Sequence, residues 1–393
     1  MKKGLVLEGG GAKGAFHCGA VKALYENGYN FDGVAGTSIG AINAALIVQD
    51  CGPESLYEMW TNVSASLFTD FDDEEVDKLL QKDFSRASVR YWAQQIGKII
   101  KNLGIPTDKA IHFLKEYISE EKVRNSVMDY AIVTYSLSDR MPVELFKEDI
   151  PQGNLHEYIL ASAYYPAFKL NRINGKFYVD GGIYDNMPMT LLAGKGYEEI
   201  VAVRTMSKMP YRTPLDERVK VNYIRPSEDL GRMAALSPTL VKKKIKLGYY
   251  DALRFINSYY GKKYYFTSKP QEFAEKLRVK LHDNLQEVAE FFDLPPSASY
   301  ETVYGELKNY LFRAYAGEAF SFEESTVFFL EEFAKYYGVE KFRIYSLEEF
   351  SEELLRKCYD FQNKKRSKLK FLSSERERKE KLFKILIKEG FTK

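Results

Sequence analysis

Three clusters of residues combine types and spacing that can do chemistry. The first is Gly9-Gly10-Gly11-Ala12-Lys13-Gly14, between a short apolar run and a helical pattern. Consecutive glycines expose backbone N–H groups with no side chains in the way, and a following helix start adds partial positive charge. Such a cradle holds an anion. In an acyl-transfer enzyme that anion is the transition-state oxyanion, with Gly9, Gly10, Gly11 and Ala12 as the donor stretch. The bare pattern also fits the dinucleotide fingerprint GxGxxG. That reading needs an acidic residue ending the second strand, but Asp32 precedes that strand, which runs into Gly36-Thr37-Ser38. A Walker loop is excluded because glycine follows Lys13. The alternative without a ligand is a tight strand-to-helix turn.

The second cluster is Gly36-Thr37-Ser38-Ile39-Gly40, a GxSxG sequence between a strand pattern and a strongly apolar helix. This is the context of a nucleophile elbow, where small neighbours permit the sharp turn that lifts a serine hydroxyl out of a sheet. The third is Asp180-Gly181-Gly182, closing the strand pattern Lys176–Val179. Ser38 needs a base. Of the histidines His17, His112, His156 and His282, only the last follows Asp180, and it sits in a charged helical pattern. An α/β-hydrolase would also place several strands ahead of its nucleophile, and this chain has room for one. A direct Ser38–Asp180 dyad is the natural reading, because two glycines leave the carboxylate sterically open. Asp185 is the alternative carboxylate. Lys13 either lends positive charge near an oxyanion or lipid phosphate, or is a solvated first-turn residue. His17 either polarises the site or occupies a helix face. Cys18 and Cys51 read as small buried hydrophobes.

The three motifs together resemble the patatin-like phospholipase family. Gly40-Ala41-Ile42-Asn43-Ala44 after the elbow and Ala161-Ser162-Ala163-Tyr164-Tyr165-Pro166 ahead of the aspartate motif add to the resemblance, which covers roughly residues 3–260. It implies a three-layer α/β/α sandwich with a mainly parallel central sheet. It implies acyl-ester hydrolysis through an acyl-Ser38 intermediate, with Asp180 as base and the glycine-rich loop as oxyanion hole. Lys13, Gly14, Gly36, Gly40, Gly181 and Gly182 are supporting candidates. The implied substrates are phospholipids, lysophospholipids and neutral acyl esters. An acyltransferase or thioesterase would use the same dyad, and a non-catalytic lipid- or nucleotide-binding module is the remaining alternative.

The elements that must position these residues alternate between strand and helix in the first half. Strand patterns occur at 5–7, 34–37, 131–135, 143–146, 176–179, 199–204 and 219–224, and helical ones at 15–27, 39–49 and 155–163. A helical insertion spans 56–118. From 238 onward helical patterns recur at 238–260, 270–293, 300–316, 322–337, 346–360 and 375–388, with little strand signal. The expected division is a catalytic domain over 1–260 and a helical region over 261–393. Of 393 residues, 45% are hydrophobic and 28% charged, with a net charge of +2, so a packed core is expected and a dedicated nucleic-acid binder is not. Three scattered cysteines fit a reducing compartment. The start runs into Glu8 and three glycines rather than a signal-peptide apolar region, so a cytoplasmic location is expected. Any membrane contact would be peripheral, and the basic stretch 356–388, with 13 Lys/Arg against four Asp/Glu, is a candidate for it. No HExxH, CxxC or clustered carboxylate loop occurs, so no metal or cofactor is expected.

Overall fold

The computed structural model describes residues 1–67, 69–81, 85–102, 104–164, 168–313, 321–365 and 374–387. Tyr165 and Pro166, and residues 366–373 and 388 of the basic stretch, lie outside the described residues. The chain divides into two compact units, Met1–Ile256 and Asn257–Lys393.

In the first unit the chain runs through β1 (Lys2–Leu7), α1 (Ala15–Glu26), β2 (Gly33–Thr37), α2 (Ile39–Asp50), α3 (Glu54–Asn62), α4 (Asp73–Gln81), α5 (Arg86–Asn102), α6 (Asp108–Tyr117) and α7 (Glu120–Asn125). It continues through β3 (Asp129–Ser136), β4 (Met141–Phe146), α8 (Leu155–Ser162), β5 (Arg172–Ile173), β6 (Lys176–Asp180), α9 (Met189–Gly194), β7 (Tyr197–Val203), β8 (Lys220–Ile224) and α10 (Pro238–Asn257). The sheet order is β5-β6-β3-β2-β1-β7-β8, with β4 also on β3. The five strands from β3 to β8 along that path are parallel, whereas β4 and β6 run antiparallel to β3. The fold is thus the expected α/β class with a mainly parallel sheet.

Burial on both faces explains why the central strands read as short apolar runs instead of alternating patterns. Val6, Ala35, Ala131 and Val133 pack toward Met189 and Leu192 of α9. On the other face α2 is apolar nearly all round, buried from Gly40 to Val48, and packs against β1, β2 and β3.

Helix α10 returns to the first half of the chain at a close helix crossing. A Cβ on Gly248 would stand 2.0 Å from the Phe16 carbonyl oxygen, and one on Gly19 would stand 1.8 Å from that of Ile245. Both contacts are with backbone, so no rotamer change relieves them. Gly248→Ala is therefore expected to cost about 1–3 kcal/mol or more. A urea-unfolding midpoint equal to that of the unmodified chain would contradict this crossing.

The second unit holds α11 (Pro270–Asp283), α12 (Leu285–Phe291), α13 (Tyr300–Arg313), α14 (Phe322–Tyr337), α15 (Leu347–Lys365) and α16 (Ser374–Ile387), with the short parallel strands β9 (Tyr265–Phe266) and β10 (Ile344–Tyr345). The single helix expected over 270–293 is two helices that meet at Asn284. Its aromatics build a core of their own around Phe266, Phe273, Tyr345, Phe350 and Phe383. Ser321 and Glu324 form a capping box at the start of α14, and Gly338, at φ 69°, ends it in the left-handed conformation.

Candidate active site

Sheet register brings the three motifs to one level. Leu7 pairs with Gly36, and Thr37 pairs with Val133, so the glycine loop after β1 and Ser38 after β2 leave the sheet side by side. Thr134, the next residue on β3, pairs with Asp180 at the end of β6. Ser38 and Asp180 are therefore separated by one strand, about 10 Å between backbones, and two side chains reaching over β3 close that gap.

Ser38 has φ 59° and ψ −127°, a conformation costly for any residue with a Cβ. The surroundings hold it there. Gly36 and Gly40 face each other across the turn, and a Cβ on Gly36 would stand 2.2 Å from Gly40 backbone. A Cβ on Gly40 would stand 2.1 Å from the Leu7 carbonyl oxygen. The Ser38 N–H leaves the strand ladder and donates to Ser162 Oγ at 3.0 Å. Ser162 in turn donates to the Val133 carbonyl at 2.7 Å. One buried hydroxyl thus satisfies the two backbone groups that the elbow uncouples.

The Ser38 hydroxyl hydrogen-bonds the Asp180 carboxylate, which also accepts the Gly182 N–H at 2.8 Å. Burial raises the Asp180 pKa to about 6 in spite of those two hydrogen bonds. Gly181 is required by close packing, since a Cβ would stand 2.1 Å from the Val133 carbonyl oxygen.

In the glycine loop the donors divide. The Gly9 N–H is used by the Asn186 carbonyl at 3.0 Å, and the Ala12 N–H by the Met233 carbonyl at 2.6 Å. The Gly10 and Gly11 N–H groups have no partner among the described residues. Those two are the free donors of the four-residue stretch named from sequence. Gly11, at φ 56°, opens the short turn Gly11–Gly14. A Cβ on Gly14 would stand 2.6 Å from Ile39, so the loop and α2 touch here. Lys13 is half-buried.

Sequence reasoning missed the groups that hold this loop. Glu8 is fully buried and accepts from Arg204 at 3.2 and 3.3 Å and from the Thr205 and Met206 N–H groups at 2.6 and 3.1 Å. Thr205 Oγ1 donates to the Gly9 carbonyl at 2.6 Å, and Asn186 Nδ2 adds a bond at 3.3 Å. Lys244 Nζ donates to the Ala12 carbonyl at 3.2 Å. Asn186 follows the aspartate motif directly, which was its one local signal. Glu8 and Arg204 lie too far apart in sequence for any pattern to join them.

The competing candidates have other roles. Asp185 is buried, accepts the N–H groups of Met187 and Arg212, and has its pKa raised to about 6 by burial. His17 is fully buried with its pKa lowered to about 3 by desolvation, so it stays neutral. Asn43 Nδ2 donates to its Nδ1 and to the Gly14 carbonyl, while Asn43 Oδ1 accepts from Trp60. That network braces the loop instead of reaching it. Cys18 is buried, but Cys51 is exposed, which corrects the expectation for it: Cys51 sits in the left-handed position that ends α2. His282 belongs to the second unit, its ring 6.2 Å from that of Tyr300.

Comparison with known proteins adds to this geometry. Residues 5–193 match the family described as patatin-like phospholipase. Lysophospholipase NTE1 of Kluyveromyces lactis is 27% identical over 334 residues, which cover 79% of this chain and 21% of the relative. Lysophospholipase NTE1 of Meyerozyma guilliermondii is 28% identical over 56% of this chain and 13% of the relative. The chain thus spans a minor part of the length of these relatives. Among solved structures, VipD from Legionella pneumophila aligns over 100% of this chain and 92% of its own at 16% identity, with a TM-score of 0.38.

Proposed function

The chain belongs to the patatin-like phospholipase family through residues 5–193, and from that premise we propose that it is a serine lipid acyl hydrolase acting on fatty-acyl esters of phospholipids or lysophospholipids. The observation that carries the reading is a strained serine whose hydroxyl bonds a buried carboxylate beside two unpartnered backbone amides.

A serine hydroxyl is a poor nucleophile at neutral pH unless a base takes its proton as it attacks. Asp180, with a pKa near 6, is ionised at pH 7 and yet more basic than an exposed aspartate. Ser38 Oγ attacks the ester carbonyl carbon as its proton passes to Asp180. The carbonyl oxygen becomes an oxyanion and takes the Gly10 and Gly11 N–H groups as donors; loss of one such donor costs about 3–4 kcal/mol of barrier. Collapse of this intermediate expels the lysolipid or glycerol alkoxide, which leaves with the proton from Asp180. Water then attacks acyl-Ser38, Asp180 again receives the proton, and the fatty acid departs as Ser38 regains its hydrogen.

The test is release of fatty acid from lysophosphatidylcholine and from phosphatidylcholine vesicles by the purified chain, with an alcohol acceptor present in parallel. Free fatty acid as the main product supports hydrolysis. Acyl transfer to the alcohol as the main product would replace it with a transferase, and no turnover of either lipid would overturn the reading.

A further inference from the structure

Gly10 and Gly11 have no side chains, so whatever fixes their free amides must act through the residues on either side. On one side Gly9 is pinned at both its N–H and its carbonyl by Asn186 and Thr205. On the other side stands Ala12, whose N–H goes to the Met233 carbonyl at 2.6 Å and whose carbonyl accepts Lys244 Nζ at 3.2 Å. Lys244 also donates to the Ala235 carbonyl at 2.7 Å, and so ties down the segment that carries Met233.

Lys244 is 5% exposed. Its partners among the described residues are two neutral carbonyls, with no carboxylate pairing its charge. Burying an ammonium this way costs stability, and an apolar side chain of the same length would pack there more cheaply. We infer that Lys244 is a positioning residue of the oxyanion loop: from α10 it grips the Ala12 carbonyl and the segment whose Met233 carbonyl takes the Ala12 N–H, and so sets where the Gly10 and Gly11 amides point. The inference rests on the acyl-hydrolase reading and extends it to a residue outside all three motifs.

The charged groups around Lys244 come from three elements. Lys13 faces it from the glycine loop, and Lys243 lies on α10 itself. Glu228, Asp229 and Arg232 line the same cavity of about 230 Å³, where Glu228 pairs with Lys243 at 3.0 Å. Burial, with help from Lys13, lowers the Lys244 pKa to about 8. The amine therefore loses its charge in mildly alkaline solution, and an arginine in its place would not.

The experiment measures kcat and KM for p-nitrophenyl butyrate from pH 6.5 to 9.5, corrected for spontaneous hydrolysis, in the unmodified chain, Lys244→Met and Lys244→Arg. Lys244→Met is expected to lose ten- to a hundredfold in kcat, as a loop misplaced by a fraction of an ångström would, with KM within about twofold. In the unmodified chain kcat is expected to fall above pH 8, and in Lys244→Arg that fall is absent. Folded Lys244→Met with kcat within twofold of the unmodified chain overturns the role. So does a flat alkaline profile in the unmodified chain, or an unchanged fall in Lys244→Arg, which decide the matter should Lys244→Met not fold. A chain that neither turns over the ester nor takes a fluorophosphonate on Ser38 overturns the hydrolase reading and this one together. Activity with no response at Lys244 overturns this one alone.

Discussion

Ser38→Ala is expected to lower kcat/KM for ester hydrolysis by at least about 10⁴-fold and to abolish covalent labelling by a fluorophosphonate. The fold is expected to survive, because alanine brings the same Cβ to the same strained turn and forfeits only a half-exposed hydroxyl. Ser38→Gly sharpens the test. Serine at φ 59° and ψ −127° bears a backbone cost of about 1–3 kcal/mol that glycine does not. The glycine variant should therefore be equally inactive yet melt at a higher temperature than the unmodified chain. That combination separates a residue held under strain for chemistry from one strained by accident. Retained labelling in Ser38→Ala, or full hydrolysis in either variant, would remove the serine from the mechanism.

What was legible in the sequence, and what was not, divides along contact range. Glycines, serine and aspartate at strand ends announce themselves locally, because a tight turn and an open backbone admit few residue types. The apolar runs of β1, β2, β3 and β7 and the length of α2 were legible for the same reason: each is decided by its own few residues. Strands of two residues are not, and so β5, β9 and β10 were missed. The break between α11 and α12 was also missed, since the helical apolar spacing continues through Asn284. The braces of the glycine loop were illegible because they connect residues nearly two hundred or more positions apart: Glu8 to Arg204, Gly9 to Thr205, Ala12 to Lys244. Nothing in the sequence around Lys244 distinguishes it from the neighbouring lysines of the same helix, and only the fold buries this one. Ser162 is an intermediate case. It lay within a stretch that supported the family resemblance, but its bonds to the Ser38 N–H and the Val133 carbonyl need the sheet in place.

Asp180→Asn is expected to lose about 10³-fold in activity while gaining stability at pH 7.5. The two effects share one cause. Burial raises the folded-state pKa of Asp180 from 3.8 to about 6. The folded carboxyl thus holds its proton more tightly than the unfolded one, and between about pH 4 and pH 6 folding takes up a proton. Stability from this group accordingly declines as pH rises through that window, and the full penalty, roughly 2–3 kcal/mol, applies above it. Asparagine can accept the same hydrogen bonds from Gly182 and Ser38 without carrying a charge, so the variant escapes the penalty and loses the base. In the unmodified chain kcat/KM should rise with pH through about 6 to a plateau, and the residual activity of Asp180→Asn should lack that limb. Asp185, whose pKa is also raised to about 6, supplies the control. It contacts backbone N–H groups rather than the serine, so Asp185→Asn should keep the acid limb in whatever activity remains. If the limb persisted in Asp180→Asn and vanished in Asp185→Asn, the base would be the wrong aspartate. Full turnover in Asp180→Asn would leave Ser38 without the partner on which its reactivity depends.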